Sequence, residues 1–235
     1  MIIIGGLQKV TLVDYPGNVA CTVFLSGCNF RCPFCYSKEL VLETEIKNQP
    51  RISEDYLFSF LQERKGLLDG VVLCGGEPTV NPDLPELCQK IKALGFLIKL
   101  DTNGSNPEML QKLIDEKLVD YVAMDIKAPL SQEKYNQANG VGIPLEKIRK
   151  SIEIIKNSGI DYEFRSTIVT KLHSKQDIIQ MAKDIAPAEK YFLQRFHGEK
   201  GVIDPGLADA KPFEDKDLEE IKKEVVGLFK IFKIR

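Results

Sequence analysis

The sequence lacks the apolar runs that membrane and secreted proteins need. No hydrophobic stretch approaches the length of a transmembrane helix. The first residues, Met-Ile-Ile-Ile-Gly-Gly, have neither the basic region nor the apolar length of a signal peptide. The chain also lacks an excess of charge of one sign, because its 32 basic side chains nearly balance its 34 acidic ones. We therefore expect neither a nucleic acid nor a membrane as partner. With six cysteines and no signal peptide, we expect free thiols in the reducing cytoplasm and no disulfide scaffold.

Several common catalytic signatures are also missing. The sequence contains no G-x-S-x-G, H-E-x-x-H, P-loop or G-x-G-x-x-G motif. It has only two histidines, His173 and His197, and an isolated histidine is more often structural or solvent-facing than functional. We expect His173, which stands beside Ser174 at a predicted helix start, to be an ordinary loop residue.

Short apolar segments alternate with amphipathic ones along the chain. Strands are predicted at 23–25, 71–74, 96–100, 120–126, 160–169 and 190–194. Helices are predicted near 53–66, 82–94, 107–117, 145–157, 174–185 and 213–232.

Six successive strand-then-helix units predict a parallel sheet with right-handed crossovers. We therefore predict an α/β fold, an open partial (β/α)6 barrel with parallel strands, that is, a partial TIM barrel; a flat doubly wound sheet is the alternative. The 235 residues suffice for a single domain spanning 1–235. It would comprise an N-terminal segment at 1–19, the barrel core at 20–197, and a C-terminal loop and helix at 198–235.

Three cysteines in one short loop are the most informative feature of the chain. Cys28, Cys32 and Cys35 follow the spacing C-x3-C-x2-C. Iron–sulfur clusters usually take four cysteine ligands, but the other three cysteines have no partner at ligand spacing. Three protein ligands would leave one metal position open, which is typical of catalytic rather than closed structural sites. The alternatives are a zinc-stapled loop and three buried free thiols.

Glycines and charged residues gather where the predicted parallel strands end, which is where such folds place their chemistry. The segment 75–78, Gly-Gly-Glu-Pro, follows a predicted buried strand. Its glycines would either let the backbone approach a ligand closely or simply form a strand-to-helix turn. Asp101 ends the next strand, where it is poorly placed for core packing. Asp125 and Lys127 share one face of a strand, as catalytic groups or as a buried ion pair. Arg165 either clamps a carboxylate or is an exposed strand-end charge.

Taken together, these motifs resemble the radical S-adenosylmethionine superfamily. The resemblance rests on the cysteine spacing, on Phe34 before the last cysteine and on Gly-Gly-Glu-Pro at 75–78, and it extends from Cys28 to about His197. Three further segments, TLVDYPG at 11–17, DTNG at 101–104 and MDIK at 124–127, are similar to the branch that activates glycyl-radical enzymes. Within that branch the chain is most similar to the activating proteins of anaerobic ribonucleoside-triphosphate reductase.

The resemblance implies specific cofactors and ligands. Cys28, Cys32 and Cys35 would hold a 4Fe-4S cluster, whose open iron would bind the amino and carboxylate groups of S-adenosylmethionine. The residues implied to bind this cofactor are Phe34, Tyr36, Gly75, Gly76, Glu77, Asp101, Thr102, Asn103, Arg165 and His197. The residues that match a monovalent-cation site in the branch are Asp101, Thr102, Met124 and Asp125. Lys127 and Asp125 are the implied catalytic residues, and Lys127, Arg165 and His197 match contacts to cofactor or peptide.

The resemblance also implies the activity. One electron would split S-adenosylmethionine, and the resulting radical would take hydrogen from a glycine of a partner, anaerobic ribonucleotide reductase. No second cysteine cluster is present, so we expect an external electron donor such as flavodoxin or ferredoxin. The alternatives are the same chemistry on another glycyl-radical enzyme such as pyruvate formate-lyase, a radical enzyme acting on a small molecule, and a non-enzymatic module stapled by zinc or a cluster.

Overall fold

Strands and helices alternate along most of the chain in the structure, a computed structural model that describes residues 2–196 and 201–235. The strands are β1 (Ile4–Thr11), β2 (Ala20–Leu25), β3 (Gly70–Gly75), β4 (Leu97–Thr102), β5 (Tyr121–Asp125), β6 (Asp161–Ile168), β7 (Ala188–Arg195) and β8 (Phe229–Ile234). The α-helices are α1 (Lys38–Val41), α2 (Glu43–Ile46), α3 (Glu54–Glu63), α4 (Leu84–Ala93), α5 (Pro107–Asp115), α6 (Gln132–Asn139), α7 (Leu145–Asn157), α8 (Lys175–Ile185) and α9 (Asp215–Val225). In this part of the chain, no helix combines the length and the apolar character needed to cross a membrane.

The strands belong to one mostly parallel sheet, in which β1 to β8 follow one another in chain order. β1 is antiparallel to β2, whereas β2, β3 and β4 pair in parallel. β6, β7 and β8 also pair in parallel. The predicted fold class, an α/β partial barrel with parallel strands, is confirmed, and the sheet has one more strand at each end than the sequence predicts.

The chain divides into two compact units. Unit 1 contains the described residues up to Asn29 together with Ser37–Thr102 and Asn106–Val122. Unit 2 contains Phe30–Tyr36, Asn103–Ser105 and the described residues from Ala123 to the C-terminus. β5 therefore gives its first two residues to unit 1 and its last three to unit 2.

Unit 1 is built on the apolar strand β3 and the helices packed against its sheet. Val71, Val72 and Leu73 of β3 are completely buried, as expected for a parallel strand that is covered on both faces. Ser53 caps α3, as predicted, because its Oγ accepts a hydrogen bond from the backbone N–H of Tyr56 at 3.2 Å.

Unit 2 shows the same agreement between sequence signals and local structure. The predicted apolar stripe of α7 is buried, including Ile148, Ile152 and Ile155. Ser174 and Asp177 form a capping box at the start of α8: Ser174 Oγ accepts from Asp177 N at 3.1 Å, and the Asp177 carboxylate accepts from Ser174 N at 2.9 Å.

The two ends of the chain differ from the prediction. The helix predicted over 213–232 is wrong beyond Val225, because 229–234 form strand β8. Phe229 and Phe232 pack on Tyr191 of β7, with ring centroids 5.1 and 5.9 Å away. Apolar residues three apart match a helical stripe and not the alternation of a strand, so local spacing favours a helix here and only the pairing with β7 reveals the strand. The segment 1–19, in which no strand is predicted, contains β1.

A pair of substitutions tests strand β8. Phe232→Ala should lower the free energy of unfolding by about 3 kcal/mol, because it removes a large buried ring, and Phe232 is only 9% exposed. Ile231→Ala is the control, since Ile231 is 41% exposed, and should cost less than about 1 kcal/mol. Urea unfolding of both variants measures the difference, and equal losses would contradict the assigned strand register.

Candidate functional site

The end of β3 lies against the backbone that leads into the cysteine loop. Gly76 N–H donates to Leu25 O and Glu77 N–H donates to Gly27 O, both at 2.8 Å. A Cβ on Gly76 would lie 2.1 Å from Gly27 O, and a Cβ on Gly75 would lie 2.6 Å from Leu25 O. Gly75 also has a φ of +108°, a region that favours glycine. Backbone packing therefore requires both glycines. The Gly76 N–H is already used in a backbone hydrogen bond within the protein.

Glu77 is a buried carboxylate whose orientation is fixed. Its Oε1 accepts hydrogen bonds from Thr79 N at 3.1 Å, from Thr79 Oγ1 at 2.5 Å and from Thr102 Oγ1 at 2.6 Å. Glu77 also caps the short 3₁₀ turn Pro78–Val80. The structure thus brings together two residues predicted for the cofactor, Glu77 and Thr102. A carboxylate held in this way is a suitable partner for an ammonium group.

The remaining residues of the 101–104 segment also have identifiable partners. In unit 1, the Asp101 carboxylate pairs with the Lys99 ammonium. In unit 2, Asn103 Oδ1 accepts from Ser105 N at 2.9 Å, the local bonding by which asparagine shapes turns. A Cβ on Gly104 would lie 2.0 Å from Cε of Met124, a fully buried residue.

One side of the cysteine loop in unit 2 is fixed by the end of α6. Arg31 N–H donates to Asn139 O at 2.8 Å. Gly140, with a φ of +72°, terminates α6, and a Cβ there would lie 2.0 Å from Arg31 O. Both the left-handed backbone and the close approach therefore require glycine at this helix end.

The other side of the loop is fixed by the C-terminal part of the chain. Ile203 N–H donates to Cys35 O at 3.2 Å, and Asp204 N–H donates to Pro33 O at 2.9 Å. Within the loop, Cys35 N–H donates to Cys32 O at 3.0 Å. Backbone hydrogen bonds thus hold the last two predicted cluster ligands in one tight turn.

Burial raises the pKa values of three cysteine thiols. Burial raises the pKa of Cys32 to about 11, although the nearby charge of Lys127 acts to lower it. Burial also raises the pKa values of Cys21 and Cys88 to about 12 each, and these two pack as small apolar side chains. Because metals bind the thiolate, a metal at Cys32 would have to displace the thiol proton.

Asp125, Lys127 and Arg165 form a charged group in unit 2, the Asp125 cluster. Asp125 Oδ2 lies 2.9 Å from Lys127 Nζ, and Asp125 Oδ1 lies 3.1 Å from Arg165 Nε. Only 28% of the Asp125 side chain and 14% of each cationic side chain are exposed. The acid and base predicted to share one strand face are thus paired, and Arg165 is not an exposed strand-end charge.

Opposite charges in the Asp125 cluster stabilise the ionised forms of Asp125 and Lys127. Burial alone would raise the pKa of Asp125, but the positive charges of Lys127 and Arg165 lower it to about 2. Burial alone would lower the pKa of Lys127, yet the Asp125 carboxylate raises it. One carboxylate against two cations leaves a net positive charge, which suits an anionic ligand.

The aromatic residues predicted to bind the cofactor have protein neighbours. Phe34 is buried, and its ring centroid lies 5.8 Å from Lys127 Nζ. The Tyr36 ring stacks on Phe196, with centroids 5.5 Å apart and planes 14° apart. His197, also predicted for this group, lies outside the described residues.

His173 is a structural residue that the sequence analysis missed. Its Nδ1 accepts from Val169 N–H at 3.0 Å, and its Nε2 lies 2.9 Å from Lys127 O. Because Nδ1 accepts, the neutral ring carries its proton on Nε2 and donates it to Lys127. The histidine therefore holds the Lys127 backbone in place. Lys127 is 46 residues away in sequence, so no local pattern could reveal this role.

The side chains predicted to hold a monovalent cation are bonded to the protein. Both Asp125 oxygens face cationic side chains, Asp101 pairs with Lys99, and Thr102 donates its hydroxyl proton to Glu77. Across residues 2–196 and 201–235, no group of three or more His, Cys, Asp or Glu side chains is placed to hold one metal ion. Asp101, Thr102 and Asp125 thus each have a protein partner, and the monovalent cation stays a prediction. A 4Fe-4S cluster has a different requirement, because each of its cysteine ligands would bind a different iron atom.

Two helix-ending glycines provide a test of the loop clamp. Gly159→Ala should cost about 1–2 kcal/mol from its left-handed backbone alone, because φ is +74° and no atom lies within 4 Å of the added Cβ. Gly140→Ala has a similar φ and adds the collision with Arg31 O, so its loss in urea unfolding should be clearly larger. Equal losses would show that α6 does not press on the loop.

His173 should make stability depend on pH. Burial lowers its pKa, so below about pH 6.5 the unfolded chain binds a proton that the folded protein resists, and stability falls as pH falls. His173→Gln should be less stable than the unsubstituted protein at pH 7.5, with a smaller deficit at pH 5. Chemical unfolding at both pH values measures this deficit, and a deficit that stays constant would contradict the buried neutral ring.

Comparison with known proteins places the chain among radical enzymes. Residues 22–185 match the Radical SAM superfamily. The chain is 31% identical over 229 residues to a Methanocaldococcus jannaschii protein named "Putative glycyl-radical enzyme activating enzyme", which covers 94% of this chain and 90% of that protein. It is 33% identical over 133 residues to a 7-carboxy-7-deazaguanine synthase of Methanopyrus kandleri, covering 49% of this chain and 52% of that protein.

The fold is also similar to that of a solved structure. The crystal structure of Streptococcus suis SuiB bound to S-adenosylmethionine superposes with a TM-score of 0.64 at 15% identity, covering 90% of this chain and 51% of that chain. At this identity the likeness concerns the fold alone, and the chain spans about half the length of that protein. Membership of the family implies a 4Fe-4S cluster and S-adenosylmethionine as cofactors. The match over residues 22–185 and the similarity to the Methanocaldococcus protein show that the chain belongs to the radical S-adenosylmethionine superfamily.

Proposed function

We propose that the chain activates anaerobic ribonucleoside-triphosphate reductase by removing a hydrogen atom from one of its glycines. The observation that carries this proposal is the similarity to the Methanocaldococcus protein, which extends over 94% of this chain and 90% of that one. The name of that relative refers to the activation of glycyl-radical enzymes. The motifs at 11–17, 101–104 and 124–127 support the reductase as the partner.

Cys28, Cys32 and Cys35 would hold the 4Fe-4S cluster. Their spacing supports this assignment, and the backbone hydrogen bonds of Cys32 and Cys35 hold the second and third ligands in one turn. Iron would replace the proton of the buried Cys32 thiol, and the nearby Lys127 charge would offset part of the negative charge that the thiolate brings. Three ligands leave one metal position for S-adenosylmethionine.

Charged residues in each unit suit one end of the amino-acid group of S-adenosylmethionine. In unit 1, Glu77 is a buried carboxylate with a fixed orientation, which suits the ammonium group. In unit 2, the Asp125 cluster is net positive, which suits a carboxylate of the cofactor or a peptide group of the partner. We assign Glu77 to cofactor binding, and Lys127 and Arg165 to contacts with the cofactor or the partner's peptide.

The protein residues would supply placement and charge. When bound, the cluster and S-adenosylmethionine supply the one-electron chemistry that removes a hydrogen atom from carbon. Lys127 is held by Asp125 at its ammonium and by His173 at its backbone carbonyl, so its charge stays in one position. Such support by neighbouring residues lowers the cost of ordering the site when its ligands bind.

The electron would come from another protein. The sequence contains no second group of closely spaced cysteines, and Cys21 and Cys88 are completely buried. We therefore propose a flavodoxin or a ferredoxin as the external donor.

A radical enzyme acting on a small molecule is the second candidate. The similarity to a 7-carboxy-7-deazaguanine synthase favours it, at 33% identity. That similarity covers only 49% of this chain, so it supports the shared cofactor chemistry more than it supports a shared substrate.

An anaerobic activation assay tests the proposed function. Protein reconstituted with iron and sulfide is reduced and mixed with S-adenosylmethionine and the purified reductase. We expect a glycyl-radical doublet by electron paramagnetic resonance, accompanied by 5′-deoxyadenosine. Cys32→Ala should abolish both signals, because it removes an iron ligand. Cys88→Ala is the matched control, since Cys88 is a buried thiol in helix α4, and should retain both signals.

Parallel reactions separate the alternatives. A doublet on pyruvate formate-lyase and none on the reductase would favour the other partner. Formation of 5′-deoxyadenosine only when a small substrate is supplied would favour the second candidate. Full iron content and full activity in Cys32→Ala would contradict the ligand assignment.

A further inference from the structure

Lys99 is a charged side chain in the interior of unit 1. It lies on β4, and only 1% of its side chain is exposed. Its register partner on β3 is Val72, which is completely buried. An ionised lysine is costly to remove from water unless a partner compensates its charge. Its burial therefore depends on the groups around its ammonium.

Two such groups surround the Lys99 ammonium. The Asp101 carboxylate pairs with it directly, because residues two apart on a strand project from the same face. The ring centroid of Tyr121 lies 5.8 Å from Lys99 Nζ, a favourable position for a cation. Tyr121 is itself held by an edge-on contact with Tyr15, at 5.9 Å between centroids. The ammonium is thus fixed beside Asp101 by both an ion pair and an aromatic face.

We propose that Lys99 is the built-in counter-ion of Asp101 and takes the place of an exchangeable monovalent cation. Binding of S-adenosylmethionine would then be independent of Na⁺ and K⁺. This inference rests on the proposed function and on the sequence-based prediction that Asp101 is one of the cofactor-binding residues. Lys99 acts on the cofactor through Asp101 and is therefore a positioning residue.

Electrostatics gives the reason for a counter-ion at this position. A carboxylate ligand and the Asp101 carboxylate repel each other unless a positive charge neutralises one of them. A lysine on the same strand supplies that charge at all times, whereas a dissolved cation must be recruited and desolvated. A second cation at Asp101 would be repelled by the ammonium already in place. The ion pair therefore neutralises the Asp101 carboxylate and disfavours the binding of a dissolved cation there.

The affinity for S-adenosylmethionine in different salts tests the proposal. Reconstituted protein is dialysed into choline chloride, KCl or NaCl at equal ionic strength, and the dissociation constant is measured by equilibrium dialysis. The unsubstituted protein should show the same constant in all three salts, within about twofold. Lys99→Met keeps the length of the side chain but removes its charge. It should bind about tenfold more weakly in choline chloride, and KCl or NaCl should restore part of the loss.

Lys92→Met is the matched control. Lys92 forms a half-buried ion pair with Asp120 in the same unit, at 2.8 and 2.9 Å, and Asp120 also binds the backbone of β4 at Ile98. Loss of this pair removes a comparable interaction away from the 101–104 segment. Its affinity for S-adenosylmethionine should match that of the unsubstituted protein in every salt.

Two results would overturn the proposal. One is a loss of about tenfold or more when the unsubstituted protein is moved from KCl to choline chloride. The other is Lys99→Met binding in choline chloride as tightly as the unsubstituted protein. Thermal unfolding and iron content show whether Lys99→Met is folded, and if it is not, the salt series on the unsubstituted protein decides alone. No binding by the unsubstituted protein in any salt would contradict the proposed function instead.

Discussion

The close backbone approach between the end of β3 and the segment before Cys28 is the constraint on which the candidate site depends. Two backbone hydrogen bonds of 2.8 Å join Gly76 and Glu77, just after β3, to Leu25 and Gly27. At this separation neither Gly75 nor Gly76 can carry a side chain. The same two bonds place the first predicted cluster ligand and the buried Glu77 carboxylate on adjoining backbone. Backbone packing alone therefore requires Gly75 and Gly76, and the candidate site lies beside this backbone contact.

The second constraint is the cost of burying charged side chains. In each unit the buried charges form ion pairs. Lys99 with Asp101, and Asp125 with Lys127 and Arg165, are largely buried pairs. Such pairs contribute little net stability, because desolvation offsets most of the attraction between the charges. Asp101 and Asp125 lie at the carboxyl ends of β4 and β5, where parallel α/β folds bind ligands, and this location is the basis for proposing that the pairs take part in ligand binding. Against the effect of burial, the positive charges of Lys127 and Arg165 lower the pKa of Asp125, which favours its charged form.

The sequence predicted the elements whose signals are local and missed the contacts that are not. Ser53 and Ser174 cap their helices as predicted, because a cap depends on residues three positions away. The apolar run of β3 was recognisable because a buried parallel strand is continuously hydrophobic. The strand at Phe229–Ile234 was predicted as helix, since its pairing with β7 leaves no trace in local spacing. His173 was missed because its partner Lys127 lies 46 residues away. The three cysteines are predicted as cluster ligands from their spacing, but the protein partners of their loop required the structure.

The hydrogen bonds that clamp the cysteine loop would allow so short a segment to serve as the proposed ligand frame. Its backbone is bonded to Asn139 on one side and to residues 203 and 204 on the other. A loop without such partners would have to be ordered by the metal, and part of the binding energy would be lost to backbone entropy, at about 1–2 kcal/mol per residue. Here the fold has already ordered the turn from Cys32 to Cys35. In the proposed cluster site, more of the binding energy would then be retained as affinity, because metal binding and folding draw on the same free energy. The C-terminal segment at 203–204 therefore contributes to the candidate site although it carries none of its predicted ligands.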